Sequence, residues 1–132
     1  MKHGKLPDYK EKQRLIYSAQ TPEEILINYG DSFFSAERYD DAIDFYEKAN
    51  YKRGLQKIGD LAIEEGDLFL YKRVYRFLGE KQISYEIANK IGSKALELEK
   101  YSFAKKAFEI AGNQEMLNKL TLDVEGEGLG KA

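Results

Sequence analysis

Apolar residues return along this chain at intervals of three and four, the spacing of one helix face, and three glycines inside those runs share a register. Four residues before Gly30, Gly59 and Gly92 stand Leu26, Leu55 and Ala88; one before stand Tyr29, Ile58 and Ile91; three after stand Phe33, Ala62 and Ala95. A second stripe follows, with Tyr39, Leu68 and Tyr101 nine after each glycine, Tyr46, Tyr75 and Phe108 sixteen after, and Ala49, Leu78 and Ala111 nineteen after. Twenty after come Asn50, Gly79 and Gly112, residue types that tolerate the left-handed conformation past a helix end. The pattern predicts three units of helix, short turn, helix and stop. The only prolines are Pro7 and Pro22, so nothing after them forbids helix.

A glycine in a helix costs about 1 kcal/mol relative to alanine, so three at equivalent places predict a close approach that a side chain would prevent. Ala42 and Ala104, twelve after Gly30 and Gly92, are small enough to allow it, whereas Tyr71 takes that place in the middle unit and predicts a more open pair there. The ends carry half units. Tyr9, Ile16 and Ala19 repeat the second stripe, with Lys12 where Ala42 would stand, and Leu117, Leu120 and Val124 repeat the first. Thr21, Pro22, Glu23 and Glu24 read as an N-cap, a first-turn proline and a capping-box glutamate. The reading is an all-α chain of about eight helices. A basic N-terminal segment with a short capping helix covers 1–21, three helix pairs 22–113, a C-terminal capping helix 114–124 and a disordered, glycine-rich tail 125–132.

Charge and chemistry narrow the function. The chain has no cysteine and one histidine, His3, which removes disulfides, thiolate chemistry and Cys/His metal sites. No phosphate-binding glycine loop of the G-x-x-x-x-G-K-[ST] form occurs, and the carboxylates read as solvated or as paired with Lys and Arg three or four residues away on their helices. The reading is a protein without cofactor or metal, and not an enzyme. No apolar run suits a signal peptide or a membrane span, which places the chain in the cytoplasm by default. Residues 1–21 hold five basic residues against two acids, and 22–50 hold eight acids against two basic residues, blocks that read as solvated helix faces.

The segment from Leu26 to Ala49, LINYGDSFFSAERYDDAIDFYEKA, resembles the tetratricopeptide repeat, and Ala88 to Ala111 matches well too. Leu55 to Leu78 keeps the glycine and aromatic but has Tyr71 and Leu78 for the two signature alanines. The glycines lie 29 and 33 apart, where the family usually has about 34, so the first inter-repeat turn is tight and the repeats are degenerate. The resemblance implies a right-handed α-solenoid of antiparallel helix pairs whose first helices line a concave groove. It implies an adaptor or scaffold for protein–protein interaction that binds a peptide or helix of a partner there, with no chemistry. Relatives that clamp a terminal carboxylate place Lys, Asn and Arg where this chain has Ile27, Asp31, Lys57, Glu86 and Lys90; only Lys90 is similar, which argues against that activity.

The groove residues expected from this register are Ile27, Asp31, Phe34, Arg53, Lys57, Asp60, Glu64, Asn89, Lys90 and Ser93, a mixed set suited to an ordinary peptide. Phe45, Phe69, Phe77 and Phe103 lie off the core register on second helices. Exposed together on the convex side they would form an apolar patch for self-association; the alternative is that they fill gaps between neighbouring second helices. RNA binding is the alternative function, since Lys52, Arg53, Lys57, Lys72, Arg73 and Arg76 cluster in the middle repeat. The formal net charge of -2 and the interleaved acids argue against it.

Overall fold

The structure, a computed structural model, describes residues 6–79 and 82–121. These residues are helical, with no strand among them. The helices are α1 (Tyr9–Tyr17), α2 (Glu23–Ser35), α3 (Tyr39–Lys48), α4 (Lys52–Glu64), α5 (Leu68–Phe77), α6 (Tyr85–Glu97) and α7 (Tyr101–Ala111), with a last helical run, α8, over 114–121. Val124 and the expected tail, 125–132, lie outside the described residues, as do Lys2, His3 and Lys5 of the basic segment.

The glycine register holds at the level of backbone geometry. α2, α4 and α6 are each 13 residues long, beginning seven residues before their glycine and ending five after it. The helix that follows starts nine after the glycine in each case. The turn between them carries a left-handed residue seven after the glycine: Glu37 (φ 61), Gly66 (φ 62) and Glu99 (φ 60). The next amide then donates back to the carbonyl three after the glycine: Arg38 to Phe33 at 2.9 Å, Asp67 to Ala62 at 2.8 Å and Lys100 to Ala95 at 2.8 Å. Asn50, Gly79 and Gly112 stop the second helices with φ of 54, 85 and 66, as their residue types predict. The uneven glycine spacing arises outside the pairs: three residues join α3 to α4, and seven join α5 to α6.

The chain divides into two compact units, one reaching to Ile58 and one starting at Gly59, so the boundary falls inside α4. In the first unit α2 packs on α3, and α1 rests on α3. The core holds Leu15, Leu26, Phe33, Ala42, Ile43, Phe45, Tyr46, Leu55 and Ile58. Phe33 and Phe45 stack with centroids 5.5 Å apart, an arrangement worth about 1 kcal/mol beyond the area it buries. Tyr46 explains Gly30. A Cβ there would lie 2.5 Å from the Tyr46 ring, and one on Gly54 would lie 2.8 Å from the other side of the same ring. The approach that excludes a side chain is therefore made by the aromatic sixteen residues on, not by the small residue at twelve. Gly54 has no counterpart in the other pairs: twenty-four residues after Gly59 and Gly92 stand Ile83 and Met116.

In the second unit Leu68 and Tyr71 of α5 join Ala62, Ile83, Ala88 and Ile91 in one apolar cluster, with Ala107 and Ala111 of α7. Ala95, Ala104, Phe108 and Leu120 form another, which seats α8. Phe108 lies on Gly92 as Tyr46 lies on Gly30, with a Cβ at Gly92 falling 2.7 Å from the ring. Gly59 differs: a Cβ there would meet Val74 at 3.6 Å and Tyr71 at 3.8 Å, ordinary contact distances.

Two expectations at the N-terminal end change. Thr21 is not the N-cap of α2. Its hydroxyl donates to the Leu15 carbonyl at 2.7 Å, closing the α1 to α2 link, and Pro22 occupies the cap position without a side-chain bond. The face of α1 that packs is not the predicted one either, since Tyr9 is 74% exposed while Leu15 is buried. Lys12 sets this orientation, because its ammonium reaches both Asp41 and Asp44 on α3.

Candidate functional site

The surface residues of α2, α4 and α6 are placed by the same geometry three times, since each helix buries its apolar stripe and turns the intervening positions outward. In the first unit Asp31, Arg53 and Lys57 are exposed, and Ile27 and Phe34 are half-buried. Two of these meet: the Lys57 ammonium stands 4.2 Å above the centre of the Phe34 ring, a contact worth about 0.5–1 kcal/mol at an exposed site. Asp31 accepts a hydrogen bond from the Tyr46 hydroxyl at 2.6 Å, so this carboxylate also serves the core. Burial, and next that bond to Asp31, push the Tyr46 phenol above its ordinary range, because both favour its neutral form.

In the second unit Asp60, Glu64, Lys90 and Ser93 are exposed and Asn89 is half-buried. Glu64, Asn89, Lys90 and Ser93 come together with Ile63 and Glu86 around an open cleft of about 410 Å³. Asp60 is not among its lining residues. Lys90 lies 3.6 Å from Glu86, one turn earlier, and Lys94 lies 3.9 Å from Glu64. Ion pairs this exposed are worth less than about 1 kcal/mol, so an incoming carboxylate could replace them. Asn89 is held from behind by Asn113, whose amide donates to it at 2.9 Å while its oxygen caps the Met116 amide. That support was not foreseen; the sequence signal for it is an asparagine directly after the stop at Gly112.

The four phenylalanines separate. Phe45 is fully buried between Phe33 and Tyr29, so it belongs to the core and not to a convex patch. It sits fifteen after Gly30, where the other pairs bury Val74 and Ala107. Phe69 is 49% exposed and Phe77 is 37% exposed. Half-buried Phe103 meets Phe69 edge to face, with centroids 5.2 Å apart.

The best-formed polar cluster was also unforeseen. Lys12 donates to Asp41 at 2.7 Å and to Asp44 at 2.6 Å, with its side chain only 13% exposed. Burial opposes its charge, yet the two carboxylates outweigh burial and hold Lys12 above its ordinary value. Burial likewise pushes Asp41 up, but Lys12 and then Arg38 win and hold its carboxyl low. Asp41 therefore adds stability near neutrality that is lost as pH falls below the ordinary carboxylate range, where the unfolded chain takes up the proton first. Lys12→Met should lower stability by about 1–2 kcal/mol, between the values for exposed and buried pairs. Melting both proteins at pH 7 and near pH 2 checks this: the gap should shrink in acid, and an equal gap at both pH values would mean that the ion pair does not fasten α1.

Among the described residues no group of three or more His, Cys, Asp or Glu is arranged to hold a metal ion, and no helix is long and apolar enough to cross a membrane. Comparison with protein-family models, with curated proteins and with solved structures returns no match.

Proposed function

We propose that this chain is a tetratricopeptide-like helical-repeat protein, a right-handed solenoid of antiparallel helix pairs that works in the cytoplasm as a non-catalytic adaptor or scaffold. In this reading its first helices hold a peptide or helix of another protein. The observation that carries it is the threefold recurrence of one backbone pattern: helix start, helix-interior glycine, left-handed turn and second helix at the same spacing each time. A chain that repeats one unit for stacking presents equivalent positions in series, and such surfaces suit extended binding. The α4/α6 cleft supplies the chemistry for a partner backbone and side chains, since Asn89 and Ser93 can donate and accept while Glu64, Glu86 and Lys90 offer both signs of charge.

Lys57 and Lys90 occupy the same place, two residues before Gly59 and Gly92, and both are exposed. Reversing both to Glu should leave helical circular dichroism unchanged and the melting midpoint within about 1 kcal/mol equivalent, since neither lysine is in a core. The same change should abolish retention of the native partner from host extract. Reversal of Lys105 and Lys106 on α7 should not. A double groove variant that keeps its partner as well as wild type would rule out the face formed by the first helices.

A further inference from the structure

The residue that caps α8 also sets what the α4/α6 cleft of the second unit can bind. Asn113 precedes that helix, and its side-chain oxygen accepts the Met116 amide at 3.1 Å. A backbone N–H can only donate, so the atom of Asn113 on that side must be the oxygen, and its NH2 group must face the other way. There it donates to the Asn89 oxygen at 2.9 Å. A second amide is thereby oriented: with its oxygen turned to Asn113, Asn89 leaves its own NH2 group to the cleft that it lines. Among the described residues nothing accepts from that group, and it is not sealed from solvent.

One turn on, Ser93 is exposed in the same cleft. Ser32 and Thr121 donate their hydroxyl protons to the carbonyl four residues earlier, at 3.1 and 3.0 Å, whereas Ser93 makes no such bond. Two donors therefore stand on one face of α6, about 6 Å apart along its axis. That spacing selects the form of the occupant. In an extended chain the carbonyls of residues i and i+2 point the same way about 6.6 Å apart, so one segment laid along α6 meets both donors. The space agrees: the cleft of about 410 Å³ holds roughly two to three extended residues at a rise of about 3.3 Å and lateral spacings of about 4.8 and 10 Å. One turn of helix would fill a similar volume, but an interior turn has its carbonyls already bonded.

We propose that the cleft takes an extended main-chain segment of another protein, with Asn89 and Ser93 donating to carbonyls two residues apart and Asn113 holding Asn89 in the donating orientation. This rests on the groove reading and decides between the two occupants which that reading leaves open, a peptide and a helix. Asn113 is a positioning residue, since it bonds Asn89 and does not line the cleft.

Nuclear magnetic resonance of the isotopically labelled full chain tests it through the side-chain NH2 signals. In wild type the Asn89 NH2 protons should exchange with solvent faster than those of Asn113. Asn113→Asp keeps an oxygen for the Met116 amide but has no proton to donate, so Asn89 should turn over, donate to the new carboxylate and exchange at least roughly fivefold more slowly. The binding probe is acetyl-trialanine amide, which is too short to form a helix. Titrated to about 50 mM, the range for a ligand held mainly by two hydrogen bonds, it should move the wild-type Asn89 NH2 protons downfield along a saturating curve. Asn113→Asp should weaken that binding at least roughly tenfold, with helical circular dichroism unchanged. Asn89→Asp leaves Asn113 in place, puts an acceptor in the cleft and should have the same effect. An Asn89 NH2 group already slow to exchange in wild type, one that the tripeptide does not move, or equal binding by either variant would overturn the proposal. None of those results bears on whether Lys57 and Lys90 hold a partner, so the groove reading stands or falls on its own test.

Discussion

Gly66→Ala is expected to destabilise the protein by about 3 kcal/mol, visible as a drop of roughly 10 °C in the melting midpoint. Two effects add. The residue is left-handed, φ 62, which costs a residue with a Cβ about 1–2 kcal/mol. The new Cβ would also fall 2.6 Å from the Ala95 Cα on α6, and backbone cannot swing aside as a side-chain tip can, so overpacking contributes about 1–3 kcal/mol more. The smaller conformational freedom of the unfolded alanine chain returns only about 0.4–1 kcal/mol. Glu99→Ala is the control: it changes an exposed residue that already holds the same conformation, and it should stay within about 0.5 kcal/mol. A Gly66→Ala midpoint equal to that control would mean that α6 does not abut the α4/α5 turn.

Gly92→Leu is expected to cost about 3–5 kcal/mol. A Cβ there lies 2.7 to 2.9 Å from three atoms of the Phe108 ring, and Phe108 is 1% exposed among packed neighbours, so neither side can yield without moving a helix. Gly59→Ala should behave in the opposite way. Its Cβ would meet only ordinary contacts, leaving the gain in helix propensity, about 1 kcal/mol, as the main effect. Urea melts of the two variants beside wild type separate packing from propensity. If both shift stability in the same direction, the ring on Gly92 is not what requires the glycine.

Helix boundaries were legible because the glycine register, the apolar stripes and the stop residues agree with one another. The turn inside each pair was not. Glu37 and Glu99 adopt a left-handed conformation that their side chains do not advertise, and only Gly66 carries the usual signal, because only there does a neighbouring backbone crowd the turn. Phe45 was misplaced for a related reason. The position fifteen after the glycine is buried in all three pairs, but Phe45, Val74 and Ala107 differ so much in size that no common residue type reveals it. Lys12 could be read as a break in the α1 stripe, yet its two carboxylates lie on another helix 29 and 32 residues away, beyond what local periodicity reports. The sequence placed Lys57 and Lys90 at equivalent, exposed positions; it did not foresee that one would cover Phe34 and the other would face Glu86.

The slot that holds Tyr46 has an optical consequence. The chain contains no tryptophan, so its near-ultraviolet signal comes from tyrosine and phenylalanine. Tyr46 is the tyrosine whose ring lies between Gly30 and Gly54, fixed in an asymmetric environment, with its hydroxyl donated to a carboxylate. Packing therefore imposes circular dichroism on this chromophore, and for as long as α2, α3 and the start of α4 stay together it keeps the phenol un-ionised into more alkaline solution than an exposed tyrosine. Of the ten tyrosines, Tyr46 thus ties part of the near-ultraviolet signal to the packing of the first unit.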